Sequence, residues 1–343
     1  MSDLLTELVS RVRPIDRDAW DVFFDRLAEG RLRRGEAAAV LASLSTSMPG
    51  AETVGALLDC LESRRTPPDV ALPGAVNIVG TGGGPRTFNI STAAAIVAAA
   101  CGVRVVKTGS RGYSSRYGSV DLLARLGVRL TRSHQETAET VDRLGIACVG
   151  AFVYPAEIGS LAREVAPLEW RRIGGFVNTV GPFLAGVAVS AQLTGVASTT
   201  AQPVLRRLAA RDPGKRVWLC RNDLGADELL SFGTNTILGA EDELTLPPGR
   251  LCPASGGLAD LRPPEAADPV EHFLGVLAGR APEPAVASVC LNAAALAVLG
   301  GVTEDWAEAF RAAGDAVRTG AASELARRMR TAPARNLLAA GRG

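Results

Sequence analysis

The chain has 343 residues, 47% of them hydrophobic and 21% charged, with 37 Lys and Arg against 36 Asp and Glu. With a formal net charge of +1, nothing points to a nucleic-acid binder, which usually shows a strongly basic domain or stripe. No apolar run approaches the ~20 residues of a membrane span, and the start MSDLLTELVSRVRP carries acids at helical spacing, unlike a signal peptide.

The six cysteines (Cys60, Cys101, Cys148, Cys220, Cys252 and Cys290) stand singly, with no CxxC pair. That spacing suits buried free thiols of a cytoplasmic protein better than zinc or disulfides. Only His134 and His272 represent histidine, both among polar residues. A histidine-based metal site or a Ser-His-Asp triad has almost nothing to draw on.

In chain order, residues 1–66 read as helices. Trp20, Phe23, Phe24 and Leu27 share one face, with Asp16 or Asp18 at the start and Gly30 at the end. Core packing explains that aromatic stripe better than a cofactor box. Two more amphipathic helices follow, broken at Pro49-Gly50. RTPPDVALPG is a proline-rich connector.

AVNIVG then reads as a strand, GTGGGPRTFNIST as a loop, Ser91 to about Cys101 as a helix stopped by Gly102, and VRVVK as a second strand. Strand, loop, helix and strand in this order predict a right-handed βαβ unit of a parallel sheet. Helices are expected over 119–126 and 134–144, and strands at ACVGAFV, at RVWLC and near 235–252. The last seventy-odd residues read as helical, with ASVCLNAAALAVLGG as a buried helix. The fold class is α/β. A small helical domain over 1–66, with room for later helices to join it, precedes an α/β domain over 74–343 with a mixed, mostly parallel sheet.

Residues 80–84 hold four glycines in five positions, more than a helix cap requires. A glycine loop before a helix N-terminus lets backbone N–H groups approach an anion, and the helix dipole favours negative charge there. Asn89, Ser91 and Thr92 add side-chain donors, although Ser91 and Thr92 are also good caps. No lysine follows as in a Walker loop, Pro85 occupies the last glycine position of a dinucleotide fingerprint, and no acid follows in CGVRVVK. Lys107 ends the next strand, and KTGSRGYSSRYGSVD brings Ser114, Ser115, Gly118 and Ser119 before another helix. Two helix N-termini and one lysine can therefore converge on one polyanion. Asp227 and Glu228 stand side by side in LGADELLSFG. Paired acids beside a polyphosphate suit Mg²⁺, but spacing alone favours two solvated acids at a helix start.

GTGGGPRTFNIST, KTGSRGYSSRYGSVDLLARLG, NTVGP, ADELL and LNAAALAVL resemble, in order and spacing, the successive motifs of the anthranilate phosphoribosyltransferase family. The resemblance spans nearly the whole chain, and the wider superfamily includes pyrimidine nucleoside phosphorylases. It implies a homodimer with a site for 5-phosphoribosyl 1-pyrophosphate (PRPP) and Mg²⁺ between the domains. Carried over by position, Gly80, Gly82, Gly83, Thr87, Asn89, Ser91, Thr92, Lys107 and Ser119 would bind PRPP. Ser91, Asp227 and Glu228 would hold magnesium, and Lys107, Asp227 and Glu228 would serve catalysis.

The departures cluster where the resemblance puts the acceptor. The family's Lys-His-Gly-Asn-Arg is Lys107-Thr108-Gly109-Ser110-Arg111 here. After VAPL the family has an arginine for the anthranilate carboxylate, whereas this chain has Glu169 and Trp170, followed by Arg171 and Arg172. A glutamate there repels a carboxylate. Thr108, Ser110, Tyr154, Glu169, Trp170, Arg171 and Arg172 are the acceptor-binding candidates, and Tyr113, Tyr154 and Trp170 would make the pocket more aromatic. In the glycine loop, Gly84-Pro85-Arg86 replaces the family's aspartate and shortens the segment by one residue. The expectation is transfer to an aromatic or heteroaromatic acceptor other than anthranilate. Transfer to anthranilate itself is the first alternative. A nucleoside phosphorylase, or a non-catalytic binding relative, is the second.

Overall fold

The computed structural model describes residues 4–110, 118–240, 242–252, 255–264 and 267–331. Four helices, α1 (Leu4–Ser10), α2 (Arg17–Ala28), α3 (Glu36–Thr46) and α4 (Ala51–Ser63), precede the strand β1 (Leu72–Gly80). There follow α5 (Ile90–Ala100), β2 (Arg104–Lys107), α6 (Ser119–Leu126), α7 (His134–Leu144) and β3 (Ile146–Cys148). Helices α8 (Ala156–Glu164), α9 (Trp170–Ile173) and α10 (Gly175–Leu184) lead to β4 (Val189–Gly195), α11 (Gln202–Ala209) and β5 (Arg216–Asn222). Then come β6 (Asn235–Leu238), β7 (Glu243–Leu246), α12 (Pro269–Leu277), α13 (Glu283–Leu299), α14 (Trp306–Arg318) and α15 (Ala321–Thr331).

Helix α2 begins where the Asp16 carboxylate accepts a hydrogen bond from the Ala19 N–H, a cap of ~1 kcal/mol. Its Trp20, Phe23, Phe24 and Leu27 are all buried. They enter a hydrophobic cluster that gathers α1–α4 with Leu161, Phe176, Val180, Leu184 and Leu205 from α8, α10 and α11. The later helices thus pack on the N-terminal ones through one shared core.

The seven strands form one sheet in the order β3-β2-β1-β4-β5-β6-β7. The first five are mutually parallel, β6 is antiparallel to β5, and β7 is antiparallel to β6. Helices α5 and α13 cover one face. Nine of the eleven α5 residues are buried, from Ile90 to Ala99, and α13 is likewise enclosed nearly all round. Helices apolar on every side belong in a core, and both lie in the largest hydrophobic cluster.

Two details differ from the sequence reading. ACVGAFV is not one strand: β3 ends at Cys148, and Ala151–Val153 form a 3-10 turn. The chain crosses closely at Gly150, where a Cβ would stand 2.7 Å from the Thr131 carbonyl oxygen. Strand β4 has no counterpart in that reading, because VSAQLTG alternates apolar residues with Ser190, Gln192 and Thr194. Gln192 and Thr194 are nonetheless fully buried.

Candidate active site

Strand β1 pairs with β2 on one side and β4 on the other, both in parallel. The winding direction reverses there, and ligands of open parallel sheets sit beyond the strand ends at such a switch point. Gly80 ends β1 and Gly195 ends β4, paired with each other. Lys107 ends β2, and β5 ends at Asn222. The loop after β5 turns back over the switch point and carries Asp227 and Glu228.

Glycine is required twice at this crossing. A Cβ on Gly80 would collide with Asp227 Oδ2, and one on Gly195 with the Asp227 carbonyl oxygen. The acidic loop therefore rests directly on two strand ends. The Gly82 N–H, at φ 66°, donates to Asp227 Oδ2 over 2.8 Å. Gly84 supplies a further close approach, since its Cβ would stand 2.7 Å from the Gly225 carbonyl oxygen. The missing side chain at Gly84 thus lets the glycine loop pack against the acidic loop.

Three asparagines hold the acidic loop, and the sequence reading missed their role. Asn222 Nδ2 donates to the carbonyls of Ala226 (3.0 Å) and Glu228 (2.7 Å), and its Oδ1 accepts from the N–H groups of Leu224 and Ala226. Asn292, within LNAAALAVL, accepts from the Leu229 N–H at 3.1 Å and donates to the Leu229 carbonyl at 2.8 Å. Asn235 does the same for Leu230. An asparagine inside the otherwise apolar LNAAALAVL stretch was the available signal, since a buried amide needs partners.

Thr87 Oγ1 lies 3.4 Å from Glu228 Oε1. The Glu228 carboxyl pairs with that of Asp227, and its enclosed Oε2 accepts from no N–H or hydroxyl donor among the described residues. Leaving a buried acceptor unmet costs ~1–3 kcal/mol, which marks it as a place for a ligand. Both acids keep some exposed surface as residues, but their carboxyl groups lie in enclosed surroundings. Burial raises the Asp227 carboxyl, against the Gly82 N–H, which lowers it. Burial first, and then the charge of Asp227, push Glu228 well above the ordinary range. Among the described residues, no three His, Cys, Asp or Glu side chains cluster to hold a metal unaided. Two adjacent carboxylates with one oxygen unmet suit Mg²⁺, which completes its shell with substrate phosphate and water.

Helix α5 presents its N-terminus to the same space. The Asn89 side chain makes no capping bond there, and Thr92 Oγ1 is buried without a hydrogen-bond partner. Ser91 keeps part of its surface. Lys107 is 3% exposed, and its Nζ donates to the Thr108 carbonyl over 2.5 Å. Burial lowers its ammonium to about 8, while Cys148, Asp227 and Glu228 act to raise it. A Cβ on Gly109 would collide with Ser119 Oγ and lie 3.7 Å from Lys107 Nζ, so Lys107 and Ser119 meet beside Gly109.

Of the acceptor candidates, Thr108 is fully buried, and Ser110 is exposed with its carbonyl accepting from Val120 N–H. Tyr154 Oη donates to the Gly109 carbonyl over 3.4 Å, and burial raises its hydroxyl to about 12. Trp170 is half-buried against the helical core and packs on Gly174. Glu169, Arg171 and Arg172 stand exposed about α9, with Arg172 Nε 3.5 Å from Glu169 Oε2. Arg111, Tyr113, Ser114 and Ser115 lie outside the described residues. No helix among the described residues is long and apolar enough to cross a membrane.

Residues 72–323 match the family described as "Glycosyl transferase family, a/b domain". Over 311 residues the chain is 35% identical to an anthranilate phosphoribosyltransferase of Methylobacterium nodulans, covering 87% of this chain and 89% of that protein. An anthranilate phosphoribosyltransferase of Laribacter hongkongensis is 30% identical over 322 residues, covering 90% of this chain and 92% of its own. The crystal structure of anthranilate phosphoribosyltransferase from Thermus thermophilus superposes with a TM-score of 0.78 at 27% identity, over 96% of this chain and 98% of that one. The Saccharomyces cerevisiae enzyme in complex with PRPP and Mg shares the fold, with a TM-score of 0.77 at 23% identity over 91% of each chain.

Proposed function

The chain belongs to the anthranilate phosphoribosyltransferase family, and from that premise we propose that it transfers the 5-phosphoribosyl group of PRPP to an aromatic or heteroaromatic acceptor, releasing pyrophosphate. It is a pentosyltransferase. The observation that carries the reading is the placement of Asp227 and Glu228 over the switch point, against the glycine loop and facing Lys107.

In this reading Gly80, Gly82, Gly83, Thr87, Asn89, Ser91 and Thr92 cradle the phosphates of PRPP, and Lys107 and Ser119 take the pyrophosphate side. Asp227 and Glu228, with Ser91, would hold Mg²⁺. Bound there, the ion supplies positive charge to the departing pyrophosphate. The bond between the ribose C1 and the pyrophosphate oxygen breaks with its electron pair leaving on oxygen. A lone pair of the acceptor forms the new bond to C1, and an amine acceptor then gives up its proton to solvent. Positioning and electrostatic stabilisation do the protein's part, which suits a site built without histidine. The acidic pair suits a magnesium pyrophosphate donor better than the free phosphate of a phosphorylase.

The acceptor in this proposal differs from anthranilate. Its support is the change of residues at 108 and 110, and a glutamate at 169 where the family has a carboxylate-binding arginine. Glu169 also stands 3.5 Å from the exposed Arg172. A second reading, transfer to anthranilate itself, has the 35% identity to an enzyme of that name in its favour. A homodimer in the cytoplasm completes the proposal, on the resemblance alone.

A thermal-shift titration tests the donor half. Mg²⁺ with PRPP at about 100 times its dissociation constant adds ~2.7 kcal/mol of stability and raises the melting temperature. No shift would contradict the reading.

A further inference from the structure

A line of buried polar side chains crosses the centre of the sheet and reaches the peptide that follows Lys107. Asn77 on β1 and Gln192 on β4 are in register, and both are fully buried. Central strands of parallel sheets are ordinarily apolar on both faces, so two amides there need a reason. Asn77 Nδ2 donates to Gln192 Oε1 over 3.1 Å. Gln192 Oε1 also accepts from Lys215 Nζ over 2.9 Å. Gln192 Nε2 donates to the Pro182 carbonyl and to Thr194 Oγ1, both at 3.0 Å. Asn77 Oδ1 accepts from the Thr108 N–H at 3.1 Å and from Thr108 Oγ1 at 3.0 Å.

Donor and acceptor rules leave this chain one orientation. A lysine ammonium only donates and a carbonyl only accepts. The Pro182 carbonyl fixes the Gln192 amide by itself, and Lys215, lowered by burial to about 8, donates to the oxygen that remains. Gln192 must therefore turn its oxygen to Lys215 and its nitrogen to Pro182. Asn77 must then present its nitrogen to Gln192 and its oxygen to Thr108. Pro182 belongs to the last turn of α10, where carbonyls lack helical partners. Thr108 follows Lys107 directly, and its own carbonyl accepts from Lys107 Nζ. The line thus runs from α10 and the start of β5 to the peptide that sets the catalytic lysine.

We propose that Asn77, oriented by Gln192 and Lys215, is a positioning residue of the transfer reaction. It fixes the Lys107–Gly109 backbone so that Lys107 and Ser119 meet the pyrophosphate side of PRPP. The inference rests on the phosphoribosyl-transfer reading. It gives Thr108 a structural duty beside its place among the acceptor-binding candidates.

The test is a double-mutant cycle read as the dissociation constant for Mg·PRPP, with melting temperature followed in parallel. Asn77→Leu should weaken Mg·PRPP binding about ten-fold in the wild-type background, the size of a lost buried hydrogen bond. In a Lys107→Ala background the same change should weaken it less than about two-fold, because its effect passes through Lys107. A merely structural residue would give equal factors in both backgrounds. If Asn77→Leu does not fold, Thr108→Val replaces it in the cycle, and Thr108→Ser must restore binding. Equal factors in the two backgrounds, or no restoration by serine, overturn the proposal. Wild-type protein that binds no Mg·PRPP overturns the phosphoribosyl-transfer reading, and the inference with it. Binding by wild type combined with an additive cycle overturns the inference alone.

Discussion

Gly80, the last residue of β1, lies directly beneath the Asp227 carboxylate, with no room for a Cβ between them. The neighbouring strand repeats the arrangement with a harder partner, because Gly195 faces the Asp227 backbone carbonyl. Gly80→Ala meets only the movable end of a side chain. It is expected to fold, to raise the magnesium requirement, and to lose about 100-fold in turnover from carboxylate misplacement. Gly195→Ala meets backbone and is expected to lose ~1–3 kcal/mol of stability, as overpacked sites do. Turnover against Mg²⁺ concentration and chemical denaturation check the pair. Normal magnesium dependence in Gly80→Ala would contradict the geometry.

Asp227→Asn and Glu228→Gln should each reduce turnover by more than about 100-fold. Without ligand, both variants should be more stable than wild type near neutral pH. The carboxyls are raised from ordinary values of 3.8 and 4.5, so the fold holds their protons more tightly than the unfolded chain does. Their stabilising contribution is full below those ordinary values and is lost as pH rises through the raised ones. An amide has no such loss. Melting curves from about pH 4 to 8, the span set by those directions of shift, give the comparison. A wild type that stays level with both variants throughout would contradict the raised carboxyls.

Lys107→Met is expected to abolish turnover while stabilising the ligand-free protein. Burial lowers the ammonium from 10.5 to about 8, so the fold is penalised whenever the lysine is charged. The penalty is complete below about pH 8 and fades as pH rises towards 10.5, where the unfolded lysine also becomes neutral. The advantage of the methionine variant should shrink over that interval. An advantage constant with pH would mean that Lys107 keeps its ordinary acidity in the fold.

Trp170→Ala should raise KM for the acceptor about ten-fold, the scale of losing a large aromatic contact, and leave KM for PRPP within about two-fold. Equal loss for both substrates would show that Trp170 supports the helical core and not the acceptor.

The glycine loop, the βαβ unit and the helical N-terminus were legible in the sequence because each depends on local rules. Glycine density, cap residues and apolar period are visible in a short window of residues. Strand β4 escaped because Gln192 and Thr194 mimic a solvent-facing alternation, and only the sheet reveals that the partners of Gln192 are Asn77, Pro182 and Lys215. Asp227 and Glu228 looked like solvated acids for the same reason. Their enclosure follows from Gly80 and Gly195, which are distant along the chain. The bond from Thr108 to Asn77 was not legible, because Asn77 is distant along the chain and only the sheet brings the two together.

The most direct measurement is pyrophosphate release from PRPP and Mg²⁺ with a panel of acceptors: anthranilate, its ring-substituted analogues, other aromatic acids and amines, and small heteroaromatics. The account predicts release with an aromatic or heteroaromatic member other than anthranilate, and release that requires Mg²⁺. Efficient turnover of anthranilate alone would contradict the altered acceptor and leave the donor site standing. No release with any member, together with no binding of Mg·PRPP, would contradict the account at its centre.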